Sequence, residues 1–572
     1  MKLLLQILVG LLLVAPVWAD DPIRIEGPEQ AALNNKLPDG GLPPVVGVAN
    51  FQVFRASRAE PGMTDGKGWT YNHHVDMACW KGRLYVAWEN GQKDEDTWPG
   101  RELYSSSTDG MTWTTPAELF PVGISNPLRM VFYHAVNGHM LAIEAHRVTF
   151  EKMTDPVQGG VVVREIFADQ TLGPVYMLIK SSTPATAPSE PGFYSDSQDK
   201  AFTLACGQLL GDHTFLEQQD RGDLLGDQKM KAYDGAAKDF GRAFCFFYRK
   251  DGMLVGICKK GYVVQSTDDG STWSAATQLQ QFKSGTAKEW IQRTSDGRFA
   301  WAHDPFPADR FPLVIMSGDD GITFGNVRVV HGEVPRQRYA GLDKNIGPQY
   351  VRGISWWNSD GSRNDTAMWL AYSVNKEDIW VSRIPVPLEA KGTGWNFYVP
   401  KWADAAVDKS NDQLRLEDHD PYDYARADRV FLPASKVAAE FEVMAKHLGP
   451  RNLEIELWGE FGDARPVRIV LKPDGDIQIA GTDVARYAVN QWIKFQINAD
   501  AGSGEFDVSI NGAGAAQFKF ADATKLLDRL VFRTGEYRLL PIRGNEVPAD
   551  SDRPTESSEY LVRGLKVAGN GK

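Results

Sequence analysis

"STDDGSTW" (266–273) and "SGDDGITF" (317–324) are one eight-residue pattern, S-x-D-x-G-x-T-aromatic, written twice. "SSTDGMTW" (106–113) is a degenerate copy with its Asp displaced by one position. Each residue type has a job in a tight turn. The Asp side chain accepts hydrogen bonds from its own turn's N–H groups. The Gly takes φ > 0, and the aromatic ring plugs the space between sheets. The intact copies stand roughly 50 residues apart and the degenerate copy roughly three such intervals earlier, matching the roughly 40–50 residues of a four-stranded propeller blade.

A second repeat runs in phase with the first. "KGRLYVAWEN" (81–90), "NGHMLAIEAH" (137–146), "DGMLVGICKK" (251–260) and "DGRFAWAHDP" (296–305) each place a turn Gly before an alternating apolar strand. "DGSRNDTAMWLAYSVNK" (360–376) is a fifth copy with a longer turn. These read as the turn between the first and second strands of a blade, followed by the second strand.

The eight-residue pattern resembles the Asp-box of sialidase-like β-propellers, where it joins the third and fourth strands of a blade, away from the active site. The resemblance implies an all-β fold with a propeller over residues 45–387. Six or seven blades fit the spacing, and seven are preferred. Strands alternate in direction, so the first strand starts, and the second ends, on the face opposite the Asp-boxes. In propellers the first strand is innermost, so its start rims the central mouth. Counting back nine residues from each turn Gly gives His73, Arg129, Ala243 beside Arg242, Lys288 and Arg352. The ends of the second strands add His146, Arg147, Lys259, Lys260, His303 and Lys376. A chain of net charge −12 thus gathers cations at one mouth, which points to an anionic glycan such as a uronate, a sulfated sugar or a sialate. Solvated strand ends also carry Lys and Arg, but agreement at one offset in several blades favours a site.

Residues 388–412 break the repeat with Pro, Gly and charge and read as a linker. From 413 to 572 alternating strands with turn signals roughly every 10 residues read as a β-sandwich. The pattern resembles the concanavalin-like jelly-roll modules appended to carbohydrate enzymes, which either bind glycan or pack on the catalytic domain.

Residues 1–19, with Lys2, an apolar run and Val17-Trp18-Ala19, read as a signal peptide, so a secreted or periplasmic protein is expected, off the membrane after cleavage. The acidic balance argues against nucleic acid. Cys79, Cys206, Cys245 and Cys258 are too few for a disulfide framework; a Cys245–Cys258 bridge is conceivable, and buried thiols are preferred.

"YNHHVDMACWKGRLYVAWENG" (71–91) and the "GQKDEDTWPGRELYSSSTDG" that continues from Gly91 resemble secreted bacterial propellers: ulvan lyases, rhamnose–glucuronate lyases and related α-L-rhamnosidases. That resemblance implies β-elimination at a uronic acid, often beside rhamnose. A cation neutralises the carboxylate and a His or Tyr base removes the C5 proton. It implies a catalytic histidine at His73 or His74. Strand alternation would aim only one of the two at the mouth. Asn90 stands where some of these lyases carry a second histidine. Tyr350 and Arg352 are the partner candidates by topology. No metal or organic cofactor is required. Asp94-Glu95-Asp96 could bind a cation, but a solvated rim is preferred.

Two alternatives stay open. An exo-sialidase needs three arginines, a Tyr–Glu nucleophile pair and an Asp acid. Arg129, Arg242, Arg310 and Arg352 could supply arginines, but the expected early Arg-Ile-Pro is missing and "SRIP" comes only at 382–385. The other alternative is a non-catalytic glycan-binding propeller.

Overall fold

The computed structural model describes residues 22–27, 33–95, 97, 99–122, 130–148, 157–180, 191–212, 214–216, 245–279, 282–307, 310–354, 366–388, 392–460, 462, 464–539 and 552–570. The leader at 1–19 lies outside them.

The propeller is built from four-stranded antiparallel arrays. Blade 1 comprises Tyr71–Trp80, Arg83–Gly91, Gly100–Ser107 and Ala117–Phe120. Its first hairpin turns on Lys81 and Gly82, both at positive φ, the geometry that matches strand twist. Blade 2 comprises Met130–His134, Met140–Val148, Val157–Ile166 and Tyr176–Lys180. Blade 3 comprises Cys245–Tyr248, Leu254–Cys258, Tyr262–Ser266 and Thr277–Gln278. Blade 4 comprises Trp290–Arg293, Phe299–His303, Leu313–Gly318 and Thr323–His331. Blade 5 comprises Pro348–Ile354, Ala367–Val374 and Asp378–Pro385, completed by Ala49–Phe54 from the other end of the propeller sequence. Closing a ring with strands from both ends protects the edges that the first and last blades would otherwise expose.

The described residues thus hold five such arrays, not the expected six or seven. The interval from Ser106 to Ser266 was counted as three repeats, and a helix stands inside it. Lys200–Gly211 is capped by Asp199, whose carboxylate accepts the N–H groups of Ala201 and Phe202. Phe202, Ala205, Cys206 and Leu209 pack on the face of blade 2 turned away from blade 1. A helix therefore covers what repeat counting assigned to strands.

The Asp-box turns form as their chemistry requires. Asp268 accepts the Thr272 N–H at 2.9 Å, and Asp320 accepts those of Ile322 and Thr323 at 2.7 and 2.9 Å. In the degenerate copy the displaced Asp109 does the same for Met111 and Thr112. Trp113, Trp273 and Phe324 are buried plugs. Gly110, at φ +75°, meets the ring of Trp369 from blade 5, and an added Cβ would lie 2.1 Å from it. Gly110→Ala is expected to destabilise by about 2 kcal/mol or more, as overpacking combines with a left-handed backbone. Thermal unfolding measures the loss; an unchanged Tm would show the ring yields freely.

The second domain is a β-sandwich with a core including Phe441, Phe495, Phe532, Leu453 and Leu530. The stretch 388–412 is not a free linker. It carries the strands Gly394–Val399 and Ala403–Asp408. Gly394–Val399 pairs in parallel with Ala49–Phe54, so blade 5 and one sandwich layer form a single eleven-stranded sheet. Buried ion pairs seal the junction. Arg55 meets Asp420 at 3.0 Å, and Glu333 contacts Arg426 and the Tyr424 hydroxyl. All four cysteines are free thiols.

Candidate active site

Seven chain segments deliver side chains to one region on the face opposite the Asp-boxes. Alternation along the strand would separate His73 from His74, but the register slips between His73 and Asp76 and His74 takes φ +50°. Such a bulge turns two consecutive side chains toward one face. The imidazole rings lie 4.6 Å apart, and both face the ring of Tyr350, at 4.1 Å for His73 and 5.1 Å for His74. Tyr350 sits in a matching irregularity. Its strand slips register between Gln349 and Arg352, and its own φ is +60°. Left-handed backbone at two bulky residues that touch is stored strain of the kind found at functional sites.

Three cations from blades 3 and 4 enclose Tyr350. Lys259 Nζ donates to its hydroxyl at 2.8 Å. Lys288 Nζ lies 4.6 Å from the ring centre and the Arg310 guanidinium 5.2 Å from it. Arg310 is held in place by the Gln349 amide oxygen. Lys288 also donates to His74 Nδ1 at 3.3 Å. An ammonium has donors only, so Nδ1 accepts and the ring proton sits on Nε2. That nitrogen faces Glu95 at 3.7 Å and Glu89 at 3.9 Å.

The acids differ sharply in environment. Glu95 takes Lys376 Nζ at 2.5 Å; His74 and Lys376 hold its carboxyl far below the usual range, against the opposing effect of burial. Asp304, at the end of the second strand of blade 4, has its carboxyl pushed up to about 7 by burial, with Arg310 and Lys259 opposing. Burial, reinforced by Lys376, His74, Arg310 and Lys259, drives His73 well below its ordinary value, so it is neutral at pH 7 and shares a 2.7 Å hydrogen bond with Ser373. Burial and the charges of Glu89 and Glu95 push the Tyr71 phenol well up.

Of the residues expected at the mouth, His73, His74, Lys259, Lys288, Arg310, Tyr350 and Lys376 come together. Others do not join them. Asn90 is structural: it donates to Asn72 at 3.0 Å and accepts Arg101 at 2.8 Å. His303 packs between Phe282 and Trp301 in the blade core, its pKa lowered by burial to about 3. Arg352 faces Asp76 at 3.7 Å and lies over Trp290. His146 is buried at the end of a blade 2 strand. Arg129, Arg242 and the Arg147 side chain fall outside the described residues. Lys260 is exposed, and its carbonyl accepts Gln278. The three acids of the rim loop part ways: Asp94 accepts the Thr97 hydroxyl, Glu95 enters the site, and Asp96 is outside the described residues. Tyr71, Glu89 and Ser373 are members that the sequence did not single out, and Asp304 is tied to the cluster by the charges of Arg310 and Lys259. The shared offset at strand starts and ends was the available signal, since all four lie at or beside those positions. Among the described residues no group of His, Cys, Asp and Glu is placed to hold a metal ion.

Comparison with known proteins fits this architecture. Residues 21–128 and 124–232 match the family model described as BT_1020-like, N-terminal beta propeller, and 395–551 match the sialidase-like CBM domain. No curated protein matches the chain. A solved sialidase structure is 28% identical, with TM-score 0.86 over 96% of this chain and 54% of its own. The chain thus spans about half the length of that sialidase. Trypanosoma rangeli sialidase in complex with sialic acid is 11% identical, with TM-score 0.34 over 91% of this chain and 96% of its own. The fold of the chain is thus that of a sialidase-like β-propeller followed by a β domain similar to a sialidase-like carbohydrate-binding module.

Proposed function

We propose that this protein is a glycoside hydrolase acting on a glycan whose reacting sugar bears a carboxylate, with Tyr350 as nucleophile and Asp304 as proton donor. The observation that carries it is the convergence of Lys259, Lys288 and Arg310 on Tyr350. Likeness to the 28% identical sialidase supports a hydrolase over the eliminating lyase of the sequence expectation. Among the described residues Arg310 is the arginine beside Tyr350, with Lys259 and Lys288 as the other cations, and together they favour a carboxylate-bearing sugar.

Each step is assigned to a named group. The Tyr350 oxygen attacks the anomeric carbon, passing its phenolic proton to the neutral His73 beside it, as Asp304 gives its proton to the departing oxygen. Lys259 stabilises the negative charge that develops on the phenolic oxygen during attack and release, and His73 returns the proton when Tyr350 is released. Asp304, now a carboxylate, takes a proton from water, which attacks the anomeric carbon and expels Tyr350. Lys288 and Arg310 hold the substrate carboxylate. Glu95 and Glu89, which face the Nε2–H of His74, keep its ring in the orientation in which Nδ1 accepts from Lys288.

Incubation with oligosaccharides ending in different acidic sugars tests the proposal: a free reducing sugar is the expected product. Appearance of the ultraviolet absorbance of an unsaturated uronate would overturn it in favour of elimination. The acid also sets the pH dependence. Asp304 works in its protonated form, which is half lost at about pH 7. Turnover on a poor leaving group is expected to be flat below about 6 and to fall tenfold per unit well above 7. Asp304→Asn should remove that limb, and a substrate with an activated aryl leaving group should flatten it. A limb that persists unchanged in Asp304→Asn would assign the acid elsewhere.

A further inference from the structure

On the Asp-box side of the propeller, opposite the mouth, the two domains enclose an open groove of about 1020 Å³. Its floor is the sheet they share: Arg383 pairs with Ala49, and Ala49 with Phe397 on the first sandwich strand. One wall is the Asp109–Trp113 turn of blade 1, and the other includes Ala403 to Val407.

The floor presents half-buried aromatic faces beside charge. Trp395 and Phe397 lie nearly parallel, centres 6.2 Å apart at 22°, with the Arg429 guanidinium 5.9 Å from Trp395. Two further cations, Arg383 and Lys401, line the groove. Among the described residues neither side chain has an ion pair or hydrogen bond, and burial lowers the pKa of both with no charge opposing it. The acids of the walls are already engaged. Asp109 accepts the N–H groups of its own turn, and Asp404 pairs with Arg415 at 3.0 Å, leaving Asp412 at the edge. A half-buried cation without a partner, as Arg383 is, next to flat aromatic surface and a second, exposed cation, Lys401, is costly unless a ligand completes it.

We infer that this groove is a second glycan site, which binds a carboxylate-bearing oligosaccharide by stacking sugar rings on Trp395 and pairing carboxylates with Arg383 and Lys401. The weakly hydrated fork of Arg383 suits a carboxylate, and the amphipathic face of a sugar ring suits an indole. The site does not depend on the chemistry assigned to Tyr350. It lies on the opposite face, so it anchors the enzyme to a polymer rather than feeding the mouth.

Calorimetry on the full chain tests this with an oligogalacturonide and its methyl ester as probes. The acidic oligosaccharide is expected to bind, and Arg383→Ala with Lys401→Ala to weaken it about tenfold or more. The same change should leave the already weaker methyl ester untouched. Trp395→Ala should weaken both probes. Lys401→Glu, an exposed change that spares the fold, should give the same selective loss. Lys288→Ala, which alters only the mouth, should leave this affinity as it was. Binding that follows Lys288 instead of Arg383, equal affinity for acid and ester, or no binding of the acidic probe would each overturn the inference.

Discussion

Tyr350→Phe is expected to lower turnover on an acidic glycoside about 10³-fold or more, equivalent to about 4 kcal/mol of barrier, with KM little changed. The substitution removes one oxygen and keeps the ring that His73, His74, Lys288 and Arg310 pack against, so the fold should hold. Lys259→Ala takes away the donor to that oxygen and should cost about 10²-fold in kcat. Lys288→Ala and Arg310→Ala act on the substrate carboxylate in both ground and transition states, so KM should rise more than kcat falls. The contrast between the two behaviours is what identifies a nucleophile. Tyr350→Phe with undiminished turnover, and circular dichroism unchanged, would remove Tyr350 from the chemistry.

The extent to which this site was legible in the sequence follows from which features are local. The Asp-box encodes its own turn, because Asp268 and Asp320 cap N–H groups only two to four residues away. Those turns orient every strand, and orientation alone sorted Lys259, Lys288, Tyr350 and Lys376 onto one face. The bulges were not legible. Nothing in "YNHHVD" or "PQYVRG" marks a left-handed residue, since neither contains a glycine at His74 or Tyr350. Tertiary packing imposes that backbone, so alternation wrongly split the histidine pair. Glu95 looked like a solvated rim because its partners, His74 and Lys376, are distant in sequence or hidden by the bulge. Asp304 was not singled out, because nothing local to "HDP" marks a carboxyl on which the charges of Arg310 and Lys259 act. The supposed linker was misjudged for a related reason. "GWNFYV" is a short strand among Gly, Pro and Lys, and its partners are Ala49–Phe54 and Arg426–Ala434, far from it in the chain.

Arg338→Met is expected to destabilise the folded chain by about 3–5 kcal/mol, the largest single loss of stability anticipated outside the cores. Arg338 is 1% exposed. Its guanidinium meets Asp378 at 2.5 Å, Asp552 at 3.5 Å and Glu377 at 3.8 Å, and donates to the Ala56 carbonyl at 2.6 Å. Asp378 ends the blade 5 hairpin, and Asp552 opens the segment leading to the last sandwich strand, Ser558–Gly569. One cation therefore fastens the ring closure to the second domain. Its removal strands buried carboxylates that Lys344, bound to Glu377 at 3.3 Å, cannot reach as a set. The pH dependence supplies an internal check. Burial already raises the Asp378 pKa in the folded chain, with Arg338 as the main opposing charge. Without Arg338 it rises further above its unfolded value. A carboxyl raised on folding contributes stability that is fully present below its unfolded pKa and is lost as pH climbs through its folded pKa. The deficit of Arg338→Met should accordingly be largest near neutral pH and shrink on acidification toward the range where Asp378 protonates. Adding Asp378→Asn to Arg338→Met should recover part of the loss at pH 7, because the two positions share one interaction. Denaturant titration at pH 7 and at pH 5 reads both effects. A deficit that is independent of pH, with no recovery in the double variant, would mean that Arg338 contributes packing rather than charge compensation.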